Sequence, residues 1–96
     1  MPRRLSAQSV TTLAALDGGL WLHGYELARR TGLKPGTLYP ILERLEGRGL
    51  LEGRWEPSPD RRPARHSYRL TEAGSHQLAL EEQPGPTRAT LREALP

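Results

Sequence analysis

The apolar positions of this chain change period near residue 50, and the change divides it into two kinds of structure. Over residues 6–17, Val10, Leu13, Ala14 and Leu16 recur at helical spacing, with Ser6 as N-cap and Gly18-Gly19 as the stop. A second helix is predicted from about Gly24 to Thr31, presenting Tyr25, Leu27 and Ala28, with Gly32 closing it. A third begins near Pro35, which suits a first helical position because the missing N–H would be unpaired there anyway. Leu38, Ile41, Leu42 and Leu45 then form an i, i+3, i+4, i+7 stripe, so that face is buried, and Gly49 ends the helix.

Beyond this point Leu51, Gly53 and Trp55 alternate with Glu52 and Arg54, and further on Tyr68 and Leu70 alternate with Ser67 and Arg69. Period two predicts an antiparallel hairpin of roughly 50–56 and 66–71, with Leu51, Trp55, Tyr68 and Leu70 on its inner face. The connection, "PSPDRRPAR", is too long for a tight turn and carries Arg61, Arg62 and Arg65. Thr71 caps a fourth helix running to about Glu82, with Leu78 and Leu80 as apolar residues. Pro84-Gly85-Pro86 breaks it, and Thr87 to Leu95 adds a last turn or two. The expected fold class is mainly α with a small β-hairpin: a winged helix-turn-helix with an added C-terminal helix.

Composition limits the core. The chain has 96 residues, only 35% of them hydrophobic, with no phenylalanine, two tryptophans and three tyrosines. That supports one modest core, which a partner subunit is expected to supplement. The lack of cysteine excludes disulfides and thiolate metal sites. Arg3 and Arg4 precede the stretch Leu5 to Leu16, but Ser6, Gln8, Ser9, Thr11 and Thr12 interrupt any apolar run. No stretch could span a membrane, and the expectation is a soluble, cytoplasmic protein.

Charge is unevenly placed. Residues 1–28 are neutral, residues 29–70 hold ten basic and five acidic groups for a net +5, and residues 71–96 carry −2. Nine of the ten central basic residues are arginines, the side chain suited to forked phosphate and guanine contacts. A GC-rich genome would also enrich arginine, so the excess has to be weighed with what lies beside it.

On the third helix, the face opposite the leucine stripe shows Gly36, Tyr39, Pro40, Glu43 and Arg44. Gly36 lets a surface approach the backbone closely, and the Thr37 hydroxyl lies near the free N–H groups of the helix start, where a phosphate is favoured. Tyr39 offers a phenol and a flat ring, and Pro40 keeps the start stiff. Proline and glycine at a helix start are ordinary, and a surface tyrosine is often half-buried packing. Joined to a basic loop and the change of period, the stretch points instead to a helix N-terminus inserted in the DNA major groove.

The strings "LHGYELARRTGLKPGTLYPILERLEGRGLLEGRWE" and "RPARHSYRLTEAG" closely resemble the PadR family of bacterial transcriptional regulators, over about residues 5–82. The elements that carry the resemblance are His23-Gly24-Tyr25-Glu26-Leu27, Gly36-Thr37-Leu38-Tyr39-Pro40, Arg44-Leu45-Glu46, Gly49-Leu50-Leu51, Trp55-Glu56, and Tyr68-Arg69-Leu70-Thr71 with Gly74. It implies a dimeric winged-helix repressor bound to an inverted repeat in a promoter. Thr37, Leu38, Tyr39 and Pro40 would belong to the recognition helix, and Arg61, Arg62 and Arg65 to the wing. Lys34 stands where the family often has a serine N-cap, which weakens the cap and adds a phosphate contact. The family's long C-terminal dimerisation helix is interrupted here by Pro84-Gly85-Pro86, leaving the dimer's strength and any ligand pocket open.

The expected DNA-contacting set is therefore Lys34, Pro35, Gly36, Thr37, Tyr39, Pro40, Arg44, Arg61, Arg62 and Arg65, on double-stranded, palindromic operator DNA. The expected homodimer seam combines Val10 and Leu13 of the first helix with Leu78 and Leu80 of the fourth. Residues 1–71 form the DNA-binding domain and residues 72–96 a C-terminal helical dimerisation segment. Catalysis is disfavoured: His23, His66 and His76 are dispersed, no metal-ligand spacing exists, and no cofactor is expected. His23 is read as the residue opening the second helix, His66 as a wing or strand residue, and Glu81-Glu82 as a solvated helix end. The competing reading is a winged-helix protein-interaction module without DNA binding of its own, against which the uncovered arginine wing argues. Trp21 and Trp55 are read as core, with the alternative that they line an aromatic pocket for a small-molecule effector at a dimer interface.

Overall fold

A left-handed glycine closes each of the first three helical segments, and these stops set the architecture. In the computed structural model, which describes residues 5–57 and 63–82, α1 spans Ala7–Ala15, α2 Gly24–Thr31 and α3 Pro35–Gly47. Gly18 and Gly19 follow α1, Gly32 follows α2 and Gly49 follows α3, all at positive φ. Side chains with a Cβ avoid that region, so the chain turns where the glycines stand. Ser6 caps α1 as expected, its hydroxyl accepting from the Ser9 N–H at 3.1 Å.

The strands are β1 (Leu22–His23), β2 (Leu51–Glu56) and β3 (Arg65–Leu70), and α4 (Glu72–Glu82) follows. They form one antiparallel sheet in the order β1-β3-β2. The hairpin predicted at 50–56 and 66–71 is present with Leu51 opposite Leu70 and Trp55 opposite His66. The third strand, β1, was not expected: two residues are too few to show an alternation, and pairing with Tyr68 and Ser67 alone defines them. It makes β3 the central strand, which is why Ser67, expected on the outer face, is buried.

The core joins both kinds of structure. Leu13 and Leu16 of the first helical segment, Leu27 of α2, the α3 stripe Leu38, Ile41, Leu42 and Leu45, and Leu51, Tyr68, Leu70 and Leu78 all belong to it. Thr12 is also fully buried, tolerated because its hydroxyl donates to the Gln8 carbonyl at 2.8 Å. Ala14, read as apolar face, is exposed, as is Tyr25 on α2.

α4 is seated by one residue. The Thr71 hydroxyl accepts from the Gly74 N–H at 3.0 Å, the N-cap role expected, and donates to the Gly49 carbonyl at 2.6 Å. Gly74 lies against the Leu50 carbonyl so closely that a Cβ there would collide with it. The helix thus begins pressed onto the α3–β2 turn, with Leu78 inside and Leu80 half-exposed. Pro84-Gly85-Pro86 and the last turn expected over Thr87 to Leu95 lie outside the described residues.

Candidate nucleic-acid interface

The amino end of α3 is uncovered. Lys34, Pro35, Gly36, Thr37, Tyr39, Pro40, Glu43 and Arg44 are all exposed, while Leu38, Ile41 and Leu42 between them are buried. Lys34 is the N-cap residue but makes no side-chain cap bond; Pro35 has no N–H and the Thr37 N–H donates to the Lys34 carbonyl at 2.9 Å, which leaves the Gly36 N–H as the free first-turn donor beside the exposed Lys34. Positive partial charge from the helix dipole gathers at that end.

Tyr39 does more than face outward. It is 47% exposed, and its ring leans across the start of α2, where a Cβ on Gly24 would meet its Oη at 2.5 Å and its Cζ at 2.9 Å. The ring therefore both joins the exposed face and packs on a backbone that only glycine leaves open. Gly24 is itself held by a cap: His23 Nδ1 accepts from the Glu26 N–H at 3.3 Å. The reading of His23 as opening the second helix holds, and its capping role was signalled by Glu26 three residues on, the spacing of a capping box with histidine in place of serine.

The hairpin departs from expectation at its far end. Trp55 lies on the same face as Leu51 and Gly53, but it is 68% exposed, because β2 and β3 run past the helical core before reaching it. Its ring stacks on His66 across the strands at 4.7 Å, and the Tyr68 hydroxyl meets His66 Nδ1 at 3.1 Å. Burial pushes the Tyr68 phenol above its ordinary pKa, helped by the nearby Glu46 carboxylate. Trp21 is elsewhere: it is half-buried against the other face of the sheet, under the guanidinium groups of Arg54 at 4.0 Å and Arg69 at 4.6 Å. The two tryptophans are therefore not neighbours in one pocket.

The arginines divide into two groups. Arg29 and Arg30 pair with Glu26, Arg54 with Glu56, and Arg69 with Glu52. The Arg54 hydrogen bond holds the exposed Glu56 carboxyl below the usual carboxylate value. Among the described residues Lys34, Arg44, Arg48 and Arg65 form no ion pair, and Arg65 instead approaches His23 Nε2 at 3.4 Å. The unpaired cations thus lie on or beside α3, which also carries the unpaired Glu43 and Glu46, and at the root of the wing. Arg61 and Arg62 lie outside the described residues. Tyr39 and Arg65 line one open cleft of about 700 Å³, with Glu26 of α2 also in its wall, so the second turn of α3 and the root of the wing share a surface.

The profile of the transcriptional regulator PadR-like family matches residues 13–80, which covers every element from the end of α1 to α4. The chain belongs to that family. Similar to it is the transcriptional regulator Rv3488 of Mycobacterium tuberculosis, 40% identical over 83 residues that span 80% of this chain and 68% of the relative. A PadR family transcription regulator from Clostridium difficile R20291 has a similar structure, with a TM-score of 0.73 and 25% identity over 81% of this chain and 85% of the other. Bacillus subtilis PadR, solved in complex with operator DNA, shares the fold at a TM-score of 0.69 and 22% identity, over 92% of this chain and 56% of its own.

Among the residues expected at a PadR dimer seam, Leu13 is fully buried and Leu78 is 4% exposed, both within the chain's own core. Neither has surface to offer a second chain. Val10 is half-buried and Leu80 half-exposed, so these two keep an accessible side chain.

Proposed function

We propose that this PadR-like regulator binds a palindromic operator as a homodimer and represses transcription from the promoter that contains it. The N-terminal turns of α3 enter the major groove, with Thr37, Tyr39 and Pro40 nearest the base edges. Lys34, Arg44 and Arg65 contact phosphates on either side, joined by Arg61 and Arg62 of the wing. The observation that carries this reading is the continuity of one surface. Tyr39 of α3 and the unpaired Arg65 border the same cleft, while the other described arginines of the sheet and of α2 are paired with Glu56, Glu52 and Glu26. The operator complex of Bacillus subtilis PadR supports it, since that chain presents the same fold to DNA.

A dimer spread over a promoter excludes polymerase by occupancy, so repression needs no catalytic step, and the protein works in the cytoplasm beside the chromosome. Among the described residues no helix is long and apolar enough to cross a membrane.

The test is operator selection from random duplexes, followed by fluorescence anisotropy at several salt concentrations. Affinity should fall steeply with salt, and Arg65→Ala should lower the log–log slope by about one for its lost phosphate contact. A protein that selects no sequence and shows no salt-dependent DNA binding is an interaction module instead.

A further inference from the structure

His23 and Arg65 stand together although neither can bond the other. His23 Nδ1 accepts from the Glu26 N–H at 3.3 Å as the cap of α2, so the proton of the neutral ring sits on Nε2. Nε2 in turn lies 3.4 Å from Arg65 Nη1, which carries hydrogens and has no lone pair to offer. Two donors therefore face each other, and only an oxygen placed between them can accept from both.

The carboxylates of the surrounding elements are engaged elsewhere. Glu56, opposite Arg65 across the strands, accepts twice from Arg54, at 3.0 and 2.8 Å. Glu26 on α2 pairs with Arg29 and Arg30. Arg65 is exposed and His23 half-buried, and both belong to the cleft wall that Tyr39 of α3 also lines.

We propose that His23 is a DNA-contacting residue, which together with Arg65 clamps one phosphodiester of the operator beside the groove that α3 enters. The inference rests on the DNA-binding reading and adds to it a residue outside the expected contact set. A non-bridging phosphate oxygen accepts from the ring Nε2–H and from the guanidinium at once. The roles differ. Arg65 supplies the charge on a long stem, whereas the His23 ring is already fixed by its cap and loses little freedom on binding. Because His23 opens α2 and Arg65 opens β3, the shared phosphate ties the root of the wing to the helical part of the domain.

The test uses anisotropy on the selected operator. Asparagine is among the best N-cap residues, but its side chain is too short to share a phosphate with Arg65. His23→Asn should therefore melt with the parent and bind the operator about fivefold more weakly. As the ring is uncharged, its loss should leave the log–log salt slope unchanged, whereas Arg65→Ala lowers it by about one. In the Arg65→Ala background the same substitution should cost less than about twofold, since both groups act on one phosphate. Replacing operator phosphates one at a time by neutral methylphosphonates locates the contact: one position should weaken the parent and leave both variants indifferent.

Parent-like affinity in His23→Asn, or the absence of a shared phosphate position, overturns the inference while the functional proposal stands. A salt slope lowered by His23→Asn would make the ring a cation, which contradicts the cap and overturns it as well. Without any variant, proton–nitrogen correlation spectra of the free parent should show the His23 proton on Nε2. A proton on Nδ1 would turn Nε2 into an acceptor for Arg65, and the inference falls. Ring signals that shift as far with millimolar inorganic phosphate as with operator would identify a free-phosphate site and overturn it too. A parent that binds no operator at any salt fails the functional proposal and takes the inference with it.

Discussion

Gly24 and Tyr39 are fifteen positions apart, yet each explains the other. The glycine leaves room for a ring, and the ring is then held at the boundary between packing and solvent. Leu42, one turn further along α3, has no such double character, being fully buried. Leu42→Ala should cost about 3 kcal/mol by transfer and cavity terms together. Tyr39→Ala should cost only about 1 kcal/mol, as half its surface already meets water. It should nevertheless lower operator affinity more than Leu42→Ala does once both are assayed folded. Thermal melts paired with anisotropy check the order, and its reversal would mean that Tyr39 is chiefly a core residue.

Tyr68 gives a pH dependence with a definite sign. Its folded pKa is raised, mainly by burial, so the native state keeps the proton after the unfolded chain has lost it. That contribution is fully present below about pH 10, the unfolded value, and is lost as pH rises toward the folded one. Melting temperatures measured from pH 8 to 11 should therefore fall more steeply for the parent than for Tyr68→Phe. Equal slopes would show that the phenol ionises as freely in the fold as in water.

Among elements, α4 depends most on a single close contact. Alanine is ordinarily better than glycine in a helix by about 1 kcal/mol. At position 74 the added methyl would strike the Leu50 backbone carbonyl, which cannot rotate aside as a side-chain tip would. Overpacking of this kind costs about 3 kcal/mol, so the collision wins and Gly74→Ala should destabilise. Thr71→Ala should lose about 1 kcal/mol through the missing cap, together with the bond to the Gly49 carbonyl. Urea unfolding of both variants tests this, and a Gly74→Ala protein as stable as the parent would show that α4 can slide away from the turn. The β2–β3 pair is anchored differently, by Trp21 beneath Arg54 and Arg69 and by the short β1 strand, which together fix the direction in which Trp55 and Arg65 project.

For the molecule as a whole, the proposed dimer has to supply what one recognition helix lacks. A single α3 reads a few base pairs, so two must enter successive major grooves, with half-sites about 34–36 Å apart, or ~10 bp. With Leu13 and Leu78 enclosed in the monomer core, the seam has Val10 and Leu80 as its accessible apolar groups in α1 and α4. Leu80→Glu should then shift sedimentation toward monomer and weaken binding to a full inverted repeat, while binding to an isolated half-site stays unchanged. A one-to-one complex of full affinity on the half-site would rule the dimer out.

Much of this was legible from local signals. The helix limits, the glycine stops, the Ser6 and Thr71 caps, the α3 stripe and the two hairpin strands all depend on residues a few positions apart, where sterics and periodicity act directly. The weak Lys34 cap was legible instead from the family resemblance, in which a serine often holds that position. The exposure of Trp55 could not be read from the sequence, because alternation assigns a face without saying how far the covering helices extend. Nor could the β1 strand, whose two residues acquire an identity only from β3. Which arginines are neutralised, how Tyr39 comes to rest on Gly24, and how Arg65 reaches His23 across 42 positions are likewise through-space matters. By itself the sequence determined where the chain turns and which helix face is buried, since those are short-range properties of the backbone. The tertiary structure decided which aromatic and basic groups remain at the surface together, because each is paired or freed only by neighbours that folding brings to it.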